Sequence, residues 1–320
     1  RSNPLAGGRF TGATRVLCIY CPCYRELKLD VEEMSIVSKS PGNRFVAGLL
    51  MARLATSVLA ADTFVFTAIP DQDEARLRER FDKVAVYLTG ELGVETRYIP
   101  VKSYAAAVTA FRNDQVQLAW FGGLSGVRAR QLVDGSEAIA QGVEDPAFET
   151  YFIAHASTGL TASEAFPQGI AGKVFTFGSK GSTSGRLMPE YHIRKHFGKA
   201  PEEVFEKVGF SGNHSKTIAL VQSGAYQVGA VNFKVWETDL QAGKVDPQKV
   251  SVIWKTPPYP DYQWSIRGDV DAGWGAGFKA KVQAALLNMR DPDLLASFPR
   301  SGFIPASNSD FKPILDVARE

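Results

Sequence analysis

The sequence predicts an α/β fold with mostly parallel sheets whose faces are covered by helices. The first observation is alternation: from Asp62 onward, short apolar runs such as TFVFTAIP alternate with amphipathic segments such as DQDEARLRERFDKVAVYLTGELG. Parallel strands need a crossover connection, usually a helix, so this alternation indicates parallel strand pairs. The second observation is length, because 320 residues suffice for about two domains of ordinary size.

The elements follow in order along the chain. The first amphipathic segment is a helix with acidic residues in its first turn and an apolar face formed by Leu77, Phe81, Val84 and Leu88. Next come the strand TRYIPV, the helix SYAAAVTAFRND, the strand VQLAWFGG and the helix LSGVRARQLVDG. Further strands are predicted at AIAQGV, TYFIAHAST, KVFTFG, YQVGAVN and KVSVIWKT, with helices up to Phe197 and over SKTIALVQSG. The C-terminal part is predicted to be mostly helical.

The N-terminal segment has the order of features of a secretory signal peptide. From Met34, the basic residues Lys39 and Arg44 precede a mostly apolar stretch over residues 45–59, and small residues follow. We therefore expect residues 1–61 to be an upstream segment and a signal peptide. The alternative expectation is a disordered or amphipathic N-terminal extension.

Composition excludes several other classes. The net charge is +2, and no cluster of basic residues is interleaved with aromatic ones, so a nucleic-acid partner is not expected. The three cysteines, Cys18, Cys21 and Cys23, lie in CIYCPC without a fourth metal ligand nearby. No metal site or cofactor is therefore expected, and the chain after residue 61 offers no thiol nucleophile.

A run of hydroxyl residues, GSTSG at residues 181–185, follows the strand KVFTFG and precedes a helix. A helix N-terminus exposes unpaired N–H groups, and its dipole favours negative charge. The three hydroxyls add uncharged donors, so we predict an anion site at Ser182, Thr183 and Ser184. Ordinary capping is the alternative, although a cap needs only one hydroxyl.

Catalytic interpretations fit the sequence less well. A nucleotide P-loop would need a lysine before the last hydroxyl, and a nucleophile elbow would need serine where GSTSG has Thr183. A hydrolase triad of Ser211, His214 and Asp261 stays open as an alternative.

From about Thr63 to the C-terminus, the chain resembles the substrate-binding proteins of phosphonate, phosphite and phosphate ABC transporters, including a branch described as selenate-binding. The resemblance rests on AIPDQDEARLRERFDKVAVYLTGELG, SYAAAVTAFRNDQVQLAWFGG, KVFTFGSKGSTSGRLMPEY and GFSGNHSKTIALVQSGAYQVGAVN. It implies a type II periplasmic binding protein fold, in which two α/β lobes enclose a ligand cleft. Lobe 1 would comprise residues 62–157 plus 257–320, and lobe 2 would comprise residues 158–256.

The resemblance also implies which residues bind the ligand. The hydroxyl loop, residues 182–184, would grip the oxyanion, and His214 would donate to the same group. Tyr104 and Tyr151 would be cleft tyrosines on the opposing lobe. Asp261 would be an acidic position on the returning strand.

One departure from the family pattern bears on the ligand. Members that bind aminophosphonates place a carboxylate after the strand that here reads VGAVN, where it can pair with an ammonium group. This chain has Asn232, Phe233 and Lys234 there, and Glu237 comes only later. The pattern therefore favours a small oxyanion without a cationic tail, such as phosphite, phosphate or a simple alkylphosphonate.

These expectations combine into a non-enzymatic periplasmic protein that delivers a small oxyanion to an ABC permease in the inner membrane. It would act as a monomer or weak dimer. The alternatives are a selenate-type binding protein and a sensor of the same fold that feeds a membrane histidine kinase.

Overall fold

The structure, a computed structural model that describes residues 62–320, contains two β-sheets flanked by helices. The α/β prediction is confirmed. The predicted signal peptide from Met34 and the three cysteines lie outside the described residues. Within the described range, no helix combines the length and the apolar character that a membrane span requires.

The described strands and helices have the following bounds. The strands are β1 (Phe64–Ala68), β2 (Thr96–Tyr98), β3 (Leu118–Phe121), β4 (Glu137–Gly142), β5 (Thr150–His155), β6 (Val174–Phe177), β7 (Lys207–Phe210), β8 (Val228–Asn232), β9 (Val250–Lys255), β10 (Gln263–Ile266) and β11 (Phe303–Pro305). The helices are α1 (Glu74–Leu92), α2 (Tyr104–Arg112), α3 (Gly123–Gln131), α4 (Met188–Phe197), α5 (Pro201–Val204), α6 (His214–Gln222), α7 (Phe233–Gln241), α8 (Val270–Trp274), α9 (Phe278–Leu287), α10 (Pro292–Leu295) and α11 (Lys312–Val317).

The first sheet has six strands in the order β11-β4-β10-β3-β1-β2, and the second has five in the order β7-β6-β8-β5-β9. In the first sheet, β1 runs parallel to β2 and β3, whereas β10 runs antiparallel between β3 and β4. In the second sheet, β6 runs parallel to β7 and β8, whereas β5 runs antiparallel between β8 and β9. Each sheet is therefore mostly parallel on one side, with an antiparallel strand inserted within it.

The chain crosses between the sheets through residues 143–149 and 256–262. Phe148 and Tyr259 pair the two crossing segments, because each backbone N–H donates to the other residue's carbonyl, at 2.9 and 3.0 Å. We call residues 62–142 and 263–320 the first lobe, and residues 150–255 the second lobe.

The position of β5 differs from the expected division, which assigned residues 150–157 to the first lobe. Strand β5 lies inside the second sheet, where it pairs with β8 on one side and β9 on the other. Its first five residues are all buried, as suits a strand covered on both faces. The chain therefore enters the second lobe before Thr150.

Buried side chains fix the strands whose ends build the site. The predicted apolar face of α1 is buried against the first sheet, and the helix ends at Gly93, whose φ of 67° is easily adopted by glycine. Phe66, Trp120 and Trp264 interleave β1, β3 and β10, with ring centroids 5.4–5.8 Å apart. The second sheet has a separate apolar cluster on each face. The strand ends that form the site are therefore fixed by close packing of the apolar side chains on both sheets.

Candidate functional site

The candidate site lies where one edge of each sheet faces the other. In the first lobe, β1 and β3 end where the antiparallel β10 begins, and in the second lobe β6 and β8 end where β5 begins. The loops that follow these strand ends approach one another. Strand carboxyl ends at such a crevice are the usual place for a ligand in open α/β sheets.

The hydroxyl loop comes from β6 and enters a wide helical turn, Thr183–Leu187, before α4. The Ser182 hydroxyl oxygen accepts a hydrogen bond from the Gly185 N–H at 2.9 Å, as an N-cap does. The Thr183 hydroxyl oxygen accepts from the Leu124 N–H of the first lobe at 3.0 Å. The Ser184 hydroxyl has no partner among the described residues. One hydroxyl therefore caps the helical turn, one joins the lobes, and the third, on Ser184, makes neither contact.

The first lobe contributes Tyr104 and the beginning of α3, and the second crossing segment contributes Asp261. One Asp261 carboxylate oxygen, Oδ1, accepts from the Gly123 N–H at 2.8 Å. The other oxygen, Oδ2, and the Tyr104 hydroxyl have no partner within the described range. Both side chains are almost fully buried, at 1% and 2% exposure.

His214 begins α6 and enters the site from the second lobe. Its backbone N–H donates to the Asp71 carbonyl of the first lobe at 2.9 Å. Its Nδ1 accepts from the Asn232 N–H at 3.3 Å, and burial lowers the pKa of the imidazole to about 3. The ring is therefore neutral at pH 7, and the proton sits on Nε2, where it can be donated.

Four of the nine buried side-chain polar atoms that lack a partner in residues 62–320 belong to predicted site residues. They are the Tyr104 hydroxyl, Ser184 Oγ, His214 Nε2 and Asp261 Oδ2. A Cβ placed on Gly185 would lie 3.0 Å from Ser182 Oγ and 3.1 Å from His214 Cε1, so the absence of a side chain lets the loop approach the imidazole. Buried polar groups left without partners are costly, and their convergence indicates a polar ligand.

The electrostatics of the site depend on Asp261. Burial raises the pKa of the Asp261 carboxyl to about 7, although the Gly123 N–H and the Thr183 hydroxyl hold it lower than burial alone would. The carboxyl therefore exchanges its proton near neutral pH. It can accept a hydrogen bond from a protonated ligand or, when protonated itself, donate one. Arg267 does not pair with Asp261, because its guanidinium group pairs with Asp114 and Asp269.

Known proteins provide an independent identification. The family model for periplasmic phosphonate-binding proteins of ABC transporters matches residues 66–311. The chain belongs to this family. It is 38% identical over 260 residues to the probable ABC transporter phosphite binding protein PhnD1 of Prochlorococcus marinus (strain MIT 9301), covering 79% of this chain and 88% of the relative.

Solved structures confirm the fold. The structure of PhnD1 from Prochlorococcus marinus in complex with methylphosphonate superposes with a TM-score of 0.77 and covers 80% of this chain and 97% of that one, at 38% identity. A binding protein component of an ABC phosphonate transporter from Pseudomonas aeruginosa has a TM-score of 0.70 at 20% identity, with 81% of this chain and 86% of that one covered. As a member of the phosphonate-binding family, this protein is the substrate-binding component of an ABC transporter. The sequence-based prediction of a binding protein that is not an enzyme is confirmed.

The hydrolase alternative also lacks its geometry. The Ser211 hydroxyl donates to the Asn213 carbonyl at 2.9 Å and contacts Thr217 Oγ1 at 2.7 Å. His214 Nδ1 is already occupied by the Asn232 N–H. A nucleophile and its base must share a hydrogen bond, and no hydrogen bond joins Ser211 to His214 in the described residues. In the described residues, no group of three or more His, Cys, Asp or Glu side chains is arranged to hold a metal ion.

Tyr151 is the predicted residue that the structure does not bring to this cluster. Its hydroxyl donates to Glu237 Oε1 at 3.1 Å, and Lys255 Nζ lies 4.7 Å from its ring centroid. Its neighbour Thr150 instead donates to the Ser184 carbonyl at 2.9 Å. Successive side chains of a strand point to opposite faces, so Thr150 faces the hydroxyl loop and Tyr151 faces α7.

Three residues that we did not predict as ligand contacts complete the wall of the site. The Tyr262 hydroxyl donates to Asp71 Oδ2 and accepts from Asn232 Nδ2, both at 3.0 Å. This chain of hydrogen bonds links the two lobes. Asp71 follows β1 and Asn232 ends β8, so the rule that strand carboxyl ends line a cleft would have found both.

Proposed function

We propose that the protein captures a small phosphorus oxyanion, such as phosphite, methylphosphonate or phosphate, and presents it to an ABC permease in the inner membrane. The observation that supports this most directly is the buried Asp261 carboxylate, which has one free oxygen beside uncharged donors. The donors are the hydroxyls of Tyr104 and Ser184 and the Nε2–H of His214.

A carboxylate in an anion site favours ligands that carry a proton, because an unprotonated anion would be repelled by it. A ligand that keeps an O–H can donate it to Asp261 as a short charge-assisted bond. Selenate and sulfate present only acceptors at neutral pH, so they would need Asp261 to be protonated. Because the pKa of Asp261 is about 7, that requirement weakens their binding about tenfold for each pH unit above 7.

The relatives favour the same ligand class. PhnD1 of Prochlorococcus marinus carries the name of a phosphite binding protein, and its structure contains methylphosphonate. Both polar atoms of the Asn232 side chain already have protein partners. Oδ1 accepts hydrogen bonds from the N–H groups of Lys234 and Val235, and Nδ2 donates to the Tyr262 hydroxyl. No carboxylate at this position is available for a ligand amine, which supports a small ligand without a cationic tail.

The cellular setting belongs to the same proposal. Residues from Met34 to residue 61 would direct export, and the protein would act in the periplasm as a monomer or weak dimer. The four unpartnered atoms come from both lobes, so ligand capture would be completed by lobe closure.

Isothermal titration calorimetry with phosphite, methylphosphonate, phosphate, sulfate and selenate tests the proposal. We expect tighter binding of at least one phosphorus oxyanion than of sulfate or selenate at pH 7.5. Asp261→Asn should narrow that preference, whereas Asp134→Asn at the surface should leave it unchanged. Wild-type protein that binds selenate more tightly than every phosphorus ligand would overturn the proposal.

A further inference from the structure

One ion pair joins the two lobes outside the ligand cluster. Arg76 Nη1 on α1 lies 2.9 Å from Asp239 Oδ1 on α7. Every other ion pair in the described part of the chain is confined to one lobe or joins a lobe to a crossing segment. Arg76 also donates to Gln72 Oε1 at 3.1 Å, which orients its guanidinium.

Asp239 depends on the opposite lobe for its partner. Its side chain is 6% exposed, and Arg76 is its one hydrogen-bonding side chain within residues 62–320. If the lobes separated, both charges would gain water. If the lobes stayed closed without Arg76, the almost buried Asp239 carboxylate would lose its hydrogen-bonding cation and keep only the more distant attraction of Arg80 on α1, which is unfavourable.

The pair is connected to the site through short stretches of backbone. Arg76 lies in the first turn of α1, close after Asp71, whose carbonyl accepts the His214 N–H. Asp239 lies on α7, which begins directly after Asn232. The ion pair therefore holds together the two segments that carry the wall of the site.

We propose that Arg76 and Asp239 are positioning residues that set the affinity for the ligand by stabilising the closed arrangement without touching the ligand. The proposal rests on the proposed function for the identity of the ligand. When only the closed form binds tightly, the apparent dissociation constant is inversely proportional to the fraction of closed protein. A contact that forms on closure then raises affinity as effectively as a contact to the ligand.

The expected effect is moderate. The pair is only partly exposed, so its loss should weaken binding of methylphosphonate and phosphite by about five- to thirtyfold. The change should appear mainly as faster dissociation, because association begins from the open form. All oxyanions should be affected by a similar factor, because the pair makes no contact that distinguishes them.

The test uses the full chain with Arg76→Met, Asp239→Asn, the double variant, and the charge reversal Arg76→Asp with Asp239→Arg. Arg78→Met is the matched control, because it removes an arginine from the same helix whose partner, Glu74, is also on that helix. Titration calorimetry and stopped-flow dissociation with methylphosphonate give affinity and rate. A double-mutant cycle isolates the interaction of the two side chains.

A ligand-free measurement separates this proposal from the ligand assignment. Spin labels on Lys83→Cys of α1 and Gln241→Cys of α7, with Cys18, Cys21 and Cys23 replaced by serine, report the distance between the lobes. Arg76→Met should shift the distance between the two labels in ligand-free protein to longer values. If that shift occurs but no tested oxyanion binds, the positioning role is supported and only the proposed function is refuted. Unchanged distances, or wild-type affinity in Arg76→Met, would refute the positioning role, whereas recovery in the charge reversal would support it.

Discussion

Replacing Ser184 by alanine separates ligand binding from stability more cleanly than any other change in the hydroxyl loop. The Ser184 hydroxyl is buried and makes no hydrogen bond of good geometry in the described residues, although it lies close to the Asp261 carboxyl and the Tyr259 hydroxyl, so ligand-free protein loses only weak contacts in the variant. In the complex, a hydrogen bond from a neutral donor to an anion is worth about 1.5–3 kcal/mol. We therefore expect Ser184→Ala to bind methylphosphonate about tenfold to a hundredfold more weakly.

Ser182→Ala is the informative comparison, because Ser182 lies two residues before Ser184 and the substitution likewise removes one serine hydroxyl. Its hydroxyl oxygen accepts from the Gly185 N–H, so its loss should cost about 0.5–2 kcal/mol of stability as a lost cap. Calorimetric titration and urea unfolding of ligand-free protein measure both effects. The reasoning fails if Ser184→Ala binds normally, or if it destabilises ligand-free protein as much as Ser182→Ala does.

Two other predictions concern Asp261 and lobe contact. Because burial raises the pKa of Asp261 from 3.8 to about 7, the folded state holds this proton more tightly than the unfolded chain, and its stabilising contribution is lost as pH rises through about 7. In ligand-free protein, we therefore expect Asp261→Asn to have a higher free energy of unfolding than wild type at pH 8, on the order of a few kcal/mol. The difference should vanish near pH 4. A difference in urea unfolding that does not change with pH would contradict this. A Cβ on Gly181 would lie 2.9 Å from the Tyr104 Cβ of the other lobe, so Gly181→Ala should hinder closure and weaken methylphosphonate binding about tenfold while the ligand-free melting temperature hardly changes. Gly90→Ala, with nothing within 4 Å, is the control and should leave affinity unchanged.

The secondary structure elements with a strong local pattern could be predicted from the sequence. Alternating apolar periods located the main strands, and the apolar face of α1 is buried as predicted. The short strands β7, β10 and β11 and the helix α7 escaped prediction. Strand β10, for example, consists of QWSI directly after a crossing segment, and its place in the sheet depends on pairing with β3 and β4 far away in the chain. Such pairing leaves little local signal.

The candidate site was predictable where it depends on strand–loop–helix patterns and on the family resemblance. The hydroxyl loop approaches both His214, through Gly185, and Asp261, through Ser184. Tyr151 instead faces α7 because of the alternation of β5. Which hydroxyl caps and which stays unpartnered could not be read from GSTSG, because Thr183 finds its donor in the other lobe. That choice is made by tertiary contact.

The order of strands has a consequence for the way the chain acquires its structure. The second sheet is built from one uninterrupted stretch, residues 150–255, whereas β10 must be inserted between β3 and β4 of the first sheet. Until residue 266 is available, β3 and β4 each present an unpaired edge, and closing so long a loop is slow. A nascent chain would therefore complete the half that carries the hydroxyl loop while the half that carries Tyr104 can still mispair. Fragments that end before Gln263 should aggregate through those edges.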